Sequence, residues 1–369
     1  MKKKTIVMIG NMSWGMYKFR GDLMQNFLKE GHQVVVIAPE DEWSIEIKRF
    51  GCTFVDLKLD RKGLNPFLDL KYLVQLTQKL IELRPDIVLT YTIKPVIYGT
   101  LASRLAQVPL RFAITTGLGH TFSKNNWVSY VTKRLYRFCL KFSTETWFLN
   151  TQDRETFLKA KLVSEKKTYV LPGEGINTDF YHPRSKETVT LTFSLIGRML
   201  WDKGVEIFVE AARKIKIHHP EINFLVAGPI DPGNPESIPI EKLQEWNKEG
   251  AITYLGPITD VREILKETSA LIHPTYYMEG LPRILMEAGS MEVPCITTDI
   301  PGCRDVIKNR KNGFLVKARD VQSLSSAIVE FLGLSEEERR EWGKVGRECM
   351  VDHFSNEIVF KIYKEKLDL

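Results

Sequence analysis

Leu191-Thr-Phe-Ser-Leu-Ile-Gly-Arg-Met-Leu-Trp-Asp-Lys-Gly204 is the stretch that decides the architecture. Leu191–Ile196 is an apolar, β-branched run that reads as a buried strand, and Gly197 ends it. Asp202 then reads as the N-cap of a helix that places Val205, Phe208, Ala212 and Ile215 on one side. A strand feeding a helix this far along the chain restarts a pattern already run once. Upstream, strand-like runs fall at Thr5–Ile9, Gln33–Ala38, Cys52–Leu57, Asp86–Tyr91, Leu110–Thr115, Glu145–Leu149 and Thr168–Leu171. Helical spacing lies between them: Phe19, Leu23 and Phe27 closed by Gly31, and the segment from Pro66 to Leu83. Downstream, strands follow at Asn223–Val226, Ile252–Leu255, Ala270–His273, Cys295–Thr298 and Phe314–Val316. Two successive strand–helix series mean two α/β domains, each a parallel sheet covered by helices. The turn-rich stretch around Tyr181–Lys186 predicts the boundary, giving domains over residues 1–182 and 183–354. Doubly wound sheets bind ligands at the carboxyl ends of their strands, so the expected site is a cleft between the two domains.

Composition excludes several classes. With 369 residues and 43% hydrophobic content the chain is globular and long enough for two domains. No apolar run approaches the roughly 20 residues of a membrane span. Met1-Lys-Lys-Lys4 before Thr5–Ile9 imitates a signal peptide, but the apolar part is short and no cleavage site follows. The five cysteines form no C-x-x-C pair, which predicts reduced thiols with neither a disulfide frame nor a zinc site. Charge is split: residues 1–185 hold 28 Lys+Arg against 17 Asp+Glu, whereas the rest is acidic. An excess of this kind suits nucleic acid, a membrane surface or a phosphate-bearing substrate, or reflects solubility alone. Nucleic acid is the weakest of these, because no aromatic-rich recognition motif accompanies the charge.

The residues with the clearest chemistry lie in Glu279-Gly-Leu-Pro-Arg-Ile-Leu-Met-Glu287. This segment follows the strand Ala270–His273 and opens a helix with Pro282 near its first turn. A helix start at a strand end attracts anions through its N–H groups and dipole. Glu287, two turns on, is placed to accept ribose hydroxyls, and Glu279 on the loop to meet a sugar. Gly197-Arg198 and Lys203-Gly204 lie where the strand Leu191–Ile196 runs into its helix. Together Arg198 and Lys203 can grip a diphosphate, one as a fork and one as a compact charge. Nowhere are two Asp separated by one residue, so a D-x-D metal clamp is absent from the sequence. The charge of a leaving diphosphate would then be met by these cations and by backbone N–H groups near Leu281–Ile284.

In the first domain, Gly10-Asn-Met-Ser-Trp-Gly15 departs from G-x-G-x-x-G, which counts against a dehydrogenase. Ser13, Arg20, Lys94 and His120 fall near strand ends on one presumed edge. His120, with glycine at 119 and 117, suits either ligand contact or a local loop hydrogen bond. Residues 125–142 combine Trp127, Tyr130, Val131, Leu135 and Phe138 with Lys133, Arg134, Arg137 and Lys141. That pattern fits a helix lying on anionic lipid, or a core helix with a solvated basic side; the domain's charge favours the first.

At these residues the sequence resembles glycosyltransferase family four over nearly its whole length. Glu279 to Glu287 matches the family's E-x7-E motif, and Arg198 with Lys203 its diphosphate-binding pair. Gly228-Pro-Ile-Asp231 and Pro301-Gly302 match its donor-side loops. Within the family it is similar to bacterial enzymes, of an N-acetylgalactosaminyltransferase-like branch, that extend a sugar held on undecaprenyl diphosphate. Trp14-Gly-Met-Tyr-Lys-Phe-Arg20, Leu64-Asn-Pro-Phe67, Thr92-Ile-Lys-Pro95, Thr116-Gly-Leu-Gly119 and Asp231-Pro-Gly-Asn-Pro235 carry that likeness. A smaller residue is common among relatives where Glu174 stands in Gly173-Glu-Gly175.

The resemblance implies a GT-B fold, with two Rossmann-like domains facing across a cleft and a C-terminal helix, residues 355–369, crossing back to the first. It implies a retaining hexosyl transfer from a UDP-sugar that needs no divalent metal and no other cofactor. Arg198, Lys203, Gly228, Glu279, Gly280, Leu281, Arg283 and Glu287 would bind the donor. Ser13, Arg20, Lys94 and His120 would bind a polyprenyl-diphosphate-linked acceptor, and Glu279, His120, Arg198 and Lys203 would serve catalysis. The expected location is cytoplasmic, at the inner surface of the membrane, in polysaccharide or glycan assembly. A nucleotide-sugar epimerase on the same fold and a non-catalytic nucleotide binder are the rival readings.

Overall fold

The computed structural model describes residues 3–61, 63, 65–118, 127–183 and 190–369. The chain divides into two compact units, one made of Met1–Gly175 with Asn356–Leu369 and the other of Ile176–Ser355. Among the described residues the first unit holds a seven-stranded parallel sheet. Its strands are β1 Thr5–Ile9, β2 Gln33–Ala38, β3 Thr53–Asp56, β4 Ile87–Tyr91, β5 Leu110–Thr115, β6 Glu145–Phe148 and β7 Thr168–Val170, in the order β3-β2-β1-β4-β5-β6-β7. β1 and β4 are buried almost end to end, as a sheet covered on both sides requires. The helix Ser13–Lys29 ends at Lys29, two residues before Gly31 with φ +85°. Asn65 caps the helix Pro66–Leu83 by accepting from Phe67 N and Leu68 N.

The helix Asn356–Leu367 belongs to the first unit. Tyr363 is buried there against Trp147 and Phe27, with its hydroxyl 3.2 Å from that of Tyr91. Lys364 pairs with Glu30 and Lys366 with Glu145.

The second unit repeats the plan with β8 Thr192–Ile196, β9 Asn223–Ala227, β10 Thr253–Tyr254, β11 Ala270–His273, β12 Cys295–Thr298 and β13 Gly313–Val316, in the order β10-β9-β8-β11-β12-β13. Its core lies on both faces of the sheet. Phe193, Phe208, Phe224 and Phe331 fill one face, and Leu271, Leu285, Met286 and Val306 the other.

Two expectations are corrected. The unit boundary falls at Gly175–Ile176, not at 182–183, because Ile176 to Tyr181 packs into the second unit. Ile176 N donates to Phe354 O, and Ser290 Oγ donates to the carbonyl of Tyr181. The helix after β8 runs over Val205–Lys216 with Gly204 as its N-cap, not Asp202. A 3-10 turn over Trp201–Lys203 intervenes, and Asp202 is buried with its carbonyl accepting from Tyr276 N and Tyr277 N. Gly204 takes φ +75° against Pro274, where a Cβ would lie 2.1 Å from the carbonyl oxygen. The five cysteines are free thiols. Among the described residues no helix is long and apolar enough to cross a membrane.

Candidate active site

In the second sheet the strand order reverses between β8 and β11. Loops leaving two neighbouring strands there diverge to opposite sides and leave a crevice at the carboxyl edge. Both loops carry charge into it. Lys203 follows β8; His273 ends β11, and Glu279 lies six residues further on. One oxygen of Glu279, Oε1, accepts from Lys203 Nζ at 2.7 Å and from His273 Nε2 at 3.0 Å. Among the described residues both of these contacts fall on Oε1, and none is made to Oε2. Burial opposes ionisation of Glu279, but the Lys203 charge and the His273 hydrogen bond outweigh it and hold the carboxyl well below the usual carboxylate range. Tyr277 covers this group, with Lys203 Nζ 5.6 Å from its ring.

Glu287 is built the same way. The helix Arg283–Ser290 starts behind Pro282, its N-cap residue. Arg283 and Glu287, one turn apart, lie on one side, and Glu287 Oε1 accepts from Arg283 Nε at 3.1 Å and from Tyr181 OH at 2.8 Å. Burial, reinforced by Glu287, pushes the Tyr181 phenol above its usual range, so it remains a donor. Arg347 fixes the segment behind it, donating to Ser290 O at 2.6 Å and to Tyr181 O at 3.3 Å.

The remaining residues expected to bind the donor follow strands of the same sheet or lie in the loop after β11. Arg198, just after β8, is nearly half exposed and pairs with Asp231 at 3.0 Å. Gly228 directly follows β9 at φ +143°, so close to Gly197 that a Cβ would meet its carbonyl oxygen at 1.7 Å. Gly280 is buried and Leu281 packs partly into the core beside Leu285. Among the described residues no three of His, Cys, Asp and Glu converge to hold a metal ion.

In the first unit the described residues expected to bind the acceptor each have a partner within the protein. Ser13 is buried, donating to Pro39 O at 2.6 Å. Arg20 is buried in an ion pair with Glu174, donates to Gly15 O at 2.8 Å and lies 4.5 Å over the Tyr91 ring. Its charge is therefore satisfied internally, and Glu174 is the residue that satisfies it. Lys94 Nζ is bound to Asp69 Oδ1 at 2.6 Å, and Tyr98 OH to Asp69 Oδ2 at 2.8 Å. His120 lies outside the described residues.

Two residues of the second-unit site escape sequence reasoning. His273 reads as one more strand residue, and Tyr181 as part of a linker. A titratable residue closing a strand at the reversal point is the signal that could have found His273.

The family model "Glycosyl transferase 4-like" matches residues 5–150, and "Glycosyl transferases group 1" matches residues 179–349. The N,N'-diacetylbacillosaminyl-diphospho-undecaprenol alpha-1,3-N-acetylgalactosaminyltransferase of Campylobacter jejuni is 30% identical over 329 residues, 85% of each chain. The chain belongs to this glycosyltransferase family. A second relative of the glycosyltransferase is the UDP-Gal:alpha-D-GlcNAc-diphosphoundecaprenol alpha-1,3-galactosyltransferase of Escherichia coli, 29% identical over 73% of this chain and 72% of its own. In fold, the glycosyltransferase is similar to one from Rickettsia africae, with a TM-score of 0.81 at 20% identity over 100% of this chain and 98% of that one. Anabaena HepE in complex with UDP and glucose gives 0.81 at 14% identity, covering 99% of each chain. The fold is GT-B, and the glycosyltransferase builds each of its two Rossmann-like units on a parallel sheet.

Proposed function

We propose that this enzyme transfers a hexose or N-acetylhexosamine from UDP to a saccharide carried on polyprenyl diphosphate, retaining the anomeric configuration and using no divalent metal. The observation that carries the reading is the group Lys203–Glu279–His273 at the ends of adjacent strands. It offers a cation for a departing phosphate and a fixed carboxylate for a sugar within one crevice. In the transfer, the bond from the anomeric carbon to the diphosphate breaks, a bond to an acceptor hydroxyl oxygen forms, and the hydroxyl proton passes to the departing diphosphate. Negative charge grows on the diphosphate as the sugar gains oxocarbenium character. Lys203 and Arg198 act where that charge grows. Arg198 is held by Asp231 in an exposed ion pair of small strength, so an incoming diphosphate can take its place. Glu287, anchored through Oε1, keeps Oε2 for ribose hydroxyls.

The acceptor class is supported by the two relatives, whose names specify undecaprenol diphosphate carriers. A carrier of that kind resides in a bilayer and a nucleotide sugar in the cytoplasm, so we place the reaction at the inner membrane surface. The test is direct. Purified enzyme is given UDP-GalNAc, UDP-Gal or UDP-GlcNAc with undecaprenyl-diphosphate-linked monosaccharides, with and without EDTA. The reading requires UDP release coupled to an α-linked disaccharide product, unchanged by EDTA. A β linkage refutes retention, loss in EDTA refutes metal independence, and absence of transfer with every pair refutes the substrate class.

A further inference from the structure

Two helices of the first unit are apolar on two opposite sides. Pro66–Leu83 buries Tyr72, Leu76 and Leu80 against the sheet. On its other side Phe67, Leu70, Val74 and Ile81 recur at helical spacing, and all four are exposed, Phe67 to 79%. Trp127–Cys139 buries Ser129, Tyr136 and Cys139, and turns Trp127, Tyr130, Val131 and Phe138 outward, with Trp127 66% exposed. Single exposed apolar residues are ordinary, but two aligned stripes are not.

Both helices pack against the helical segment Pro95–Leu105 between them. They follow β3 and β5, and that segment follows β4, so right-handed connections put all three in one layer. A helix that follows a parallel strand starts at the carboxyl edge of the sheet. Phe67, Leu70, Trp127 and Tyr130 therefore crowd the end of the layer nearest that edge. Exposed cations accompany and trail them: Lys71, Arg104, Arg134, Arg137 and Lys141. Arg134 lies 4.9 Å over the Tyr130 ring. The exposed acid on these three elements is Glu82, which Lys79 pairs.

We infer that this helical layer is a docking surface for an anionic bilayer, with the aromatic ends of the two stripes inserted among the headgroups and the cations against lipid phosphates. An apolar tip ringed by basic side chains is the arrangement interfacial helices use, and it matches a negative surface in both hydrophobicity and charge. It places the carboxyl edge of the first sheet toward the lipid. The inference builds on the membrane placement proposed above. Vesicle capture needs neither nucleotide sugar nor acceptor, so its failure is distinguishable from failure of the transfer chemistry.

The experiment is flotation of the full chain with phosphatidylcholine vesicles and with vesicles that also contain phosphatidylglycerol. Wild type is expected to float with the anionic vesicles and to be released by salt. The double variant Phe67→Ser, Trp127→Ser is expected to stay at the bottom with its melting temperature unchanged, since both side chains are exposed. Lys71→Gln and Arg134→Gln should each weaken capture about fivefold, the equivalent of roughly 1 kcal/mol per charge near the surface. Equal capture by both vesicle types, or full capture of the double variant, overturns the inference. So does light scattering that shows a wild-type dimer split by Phe67→Ser, which would assign the layer to a second copy of the chain.

Discussion

His273 and Lys203 bind the same oxygen of Glu279, so each fixes the carboxylate without occupying the oxygen a sugar would meet. His273→Ala should leave Lys203 as the single anchor and let the carboxylate swing. We expect kcat to fall roughly tenfold, about 1.4 kcal/mol of barrier, with the thermal shift produced by UDP unchanged. His273→Gln, which returns a donor at similar reach, should recover most of the rate; equal loss in both variants would reduce His273 to a packing residue. The same carboxylate sets a pH dependence. Its folded pKa lies below the unfolded value, so it contributes stability above the ordinary carboxylate pKa of about 4.3 and loses that contribution as pH falls toward the folded value. Glu279→Gln should therefore melt lower than wild type at pH 7, and the two melting curves should converge as pH drops below about 4. A gap that stays constant down to acid pH would mean the ion pair adds nothing.

Between β8 and β9 the chain passes so closely that Gly228 has no room for a side chain. Gly228→Ala meets both the Gly197 carbonyl and a φ foreign to L-residues, a cost of at least about 1–3 kcal/mol. We expect a lower melting temperature and loss of the UDP shift, read by differential scanning fluorimetry. Asp231 works in the other direction. It holds Arg198 in an exposed pair, so Asp231→Asn should free the guanidinium and tighten UDP by a few-fold at most, measured by calorimetry. Weaker UDP binding in that variant would show that Asp231 itself supports the nucleotide. At this scale the sequence was readable where periodicity governs. Buried parallel strands are short apolar runs, and Ala270–His273 and Cys295–Thr298 are found where the pattern predicts them. It was less readable where a loop conformation decides. Asp202 has the composition of a cap, yet a 3-10 turn and the left-handed Gly204 take over, because the approach of Pro274 admits nothing larger. Arg20 and Lys94 have the composition of ligand-binding residues, and their partners Glu174 and Asp69 lie 154 and 25 positions away, beyond the reach of local pattern.

Over the whole molecule, the first unit draws its final helix from the far end of the chain. Tyr363 is sealed among Trp147, Tyr91 and Phe27. Tyr363→Ala should cost the first unit about 3–5 kcal/mol, the range for truncating a buried aromatic. Urea unfolding followed with and without UDP should show that loss in the transition UDP does not shift. The same transition lowered and the UDP-stabilised one lowered equally would mean that the units unfold together. The likeness to family members implied this returning helix, whereas the chain's own periodicity placed the boundary seven residues late. Tyr181 and Ile176 look like linker residues until their partners, Glu287 and Phe354, are known. The two crossings, Gly175 to Ile176 and Ser355 to Asn356, make the second unit an insertion within the first. A ribosome must therefore release all of residues 176–355 before the helix that closes the first core exists. The second unit can complete its fold during synthesis, while the first keeps the slot for Tyr363 open until the end, a window in which a chaperone has something to hold.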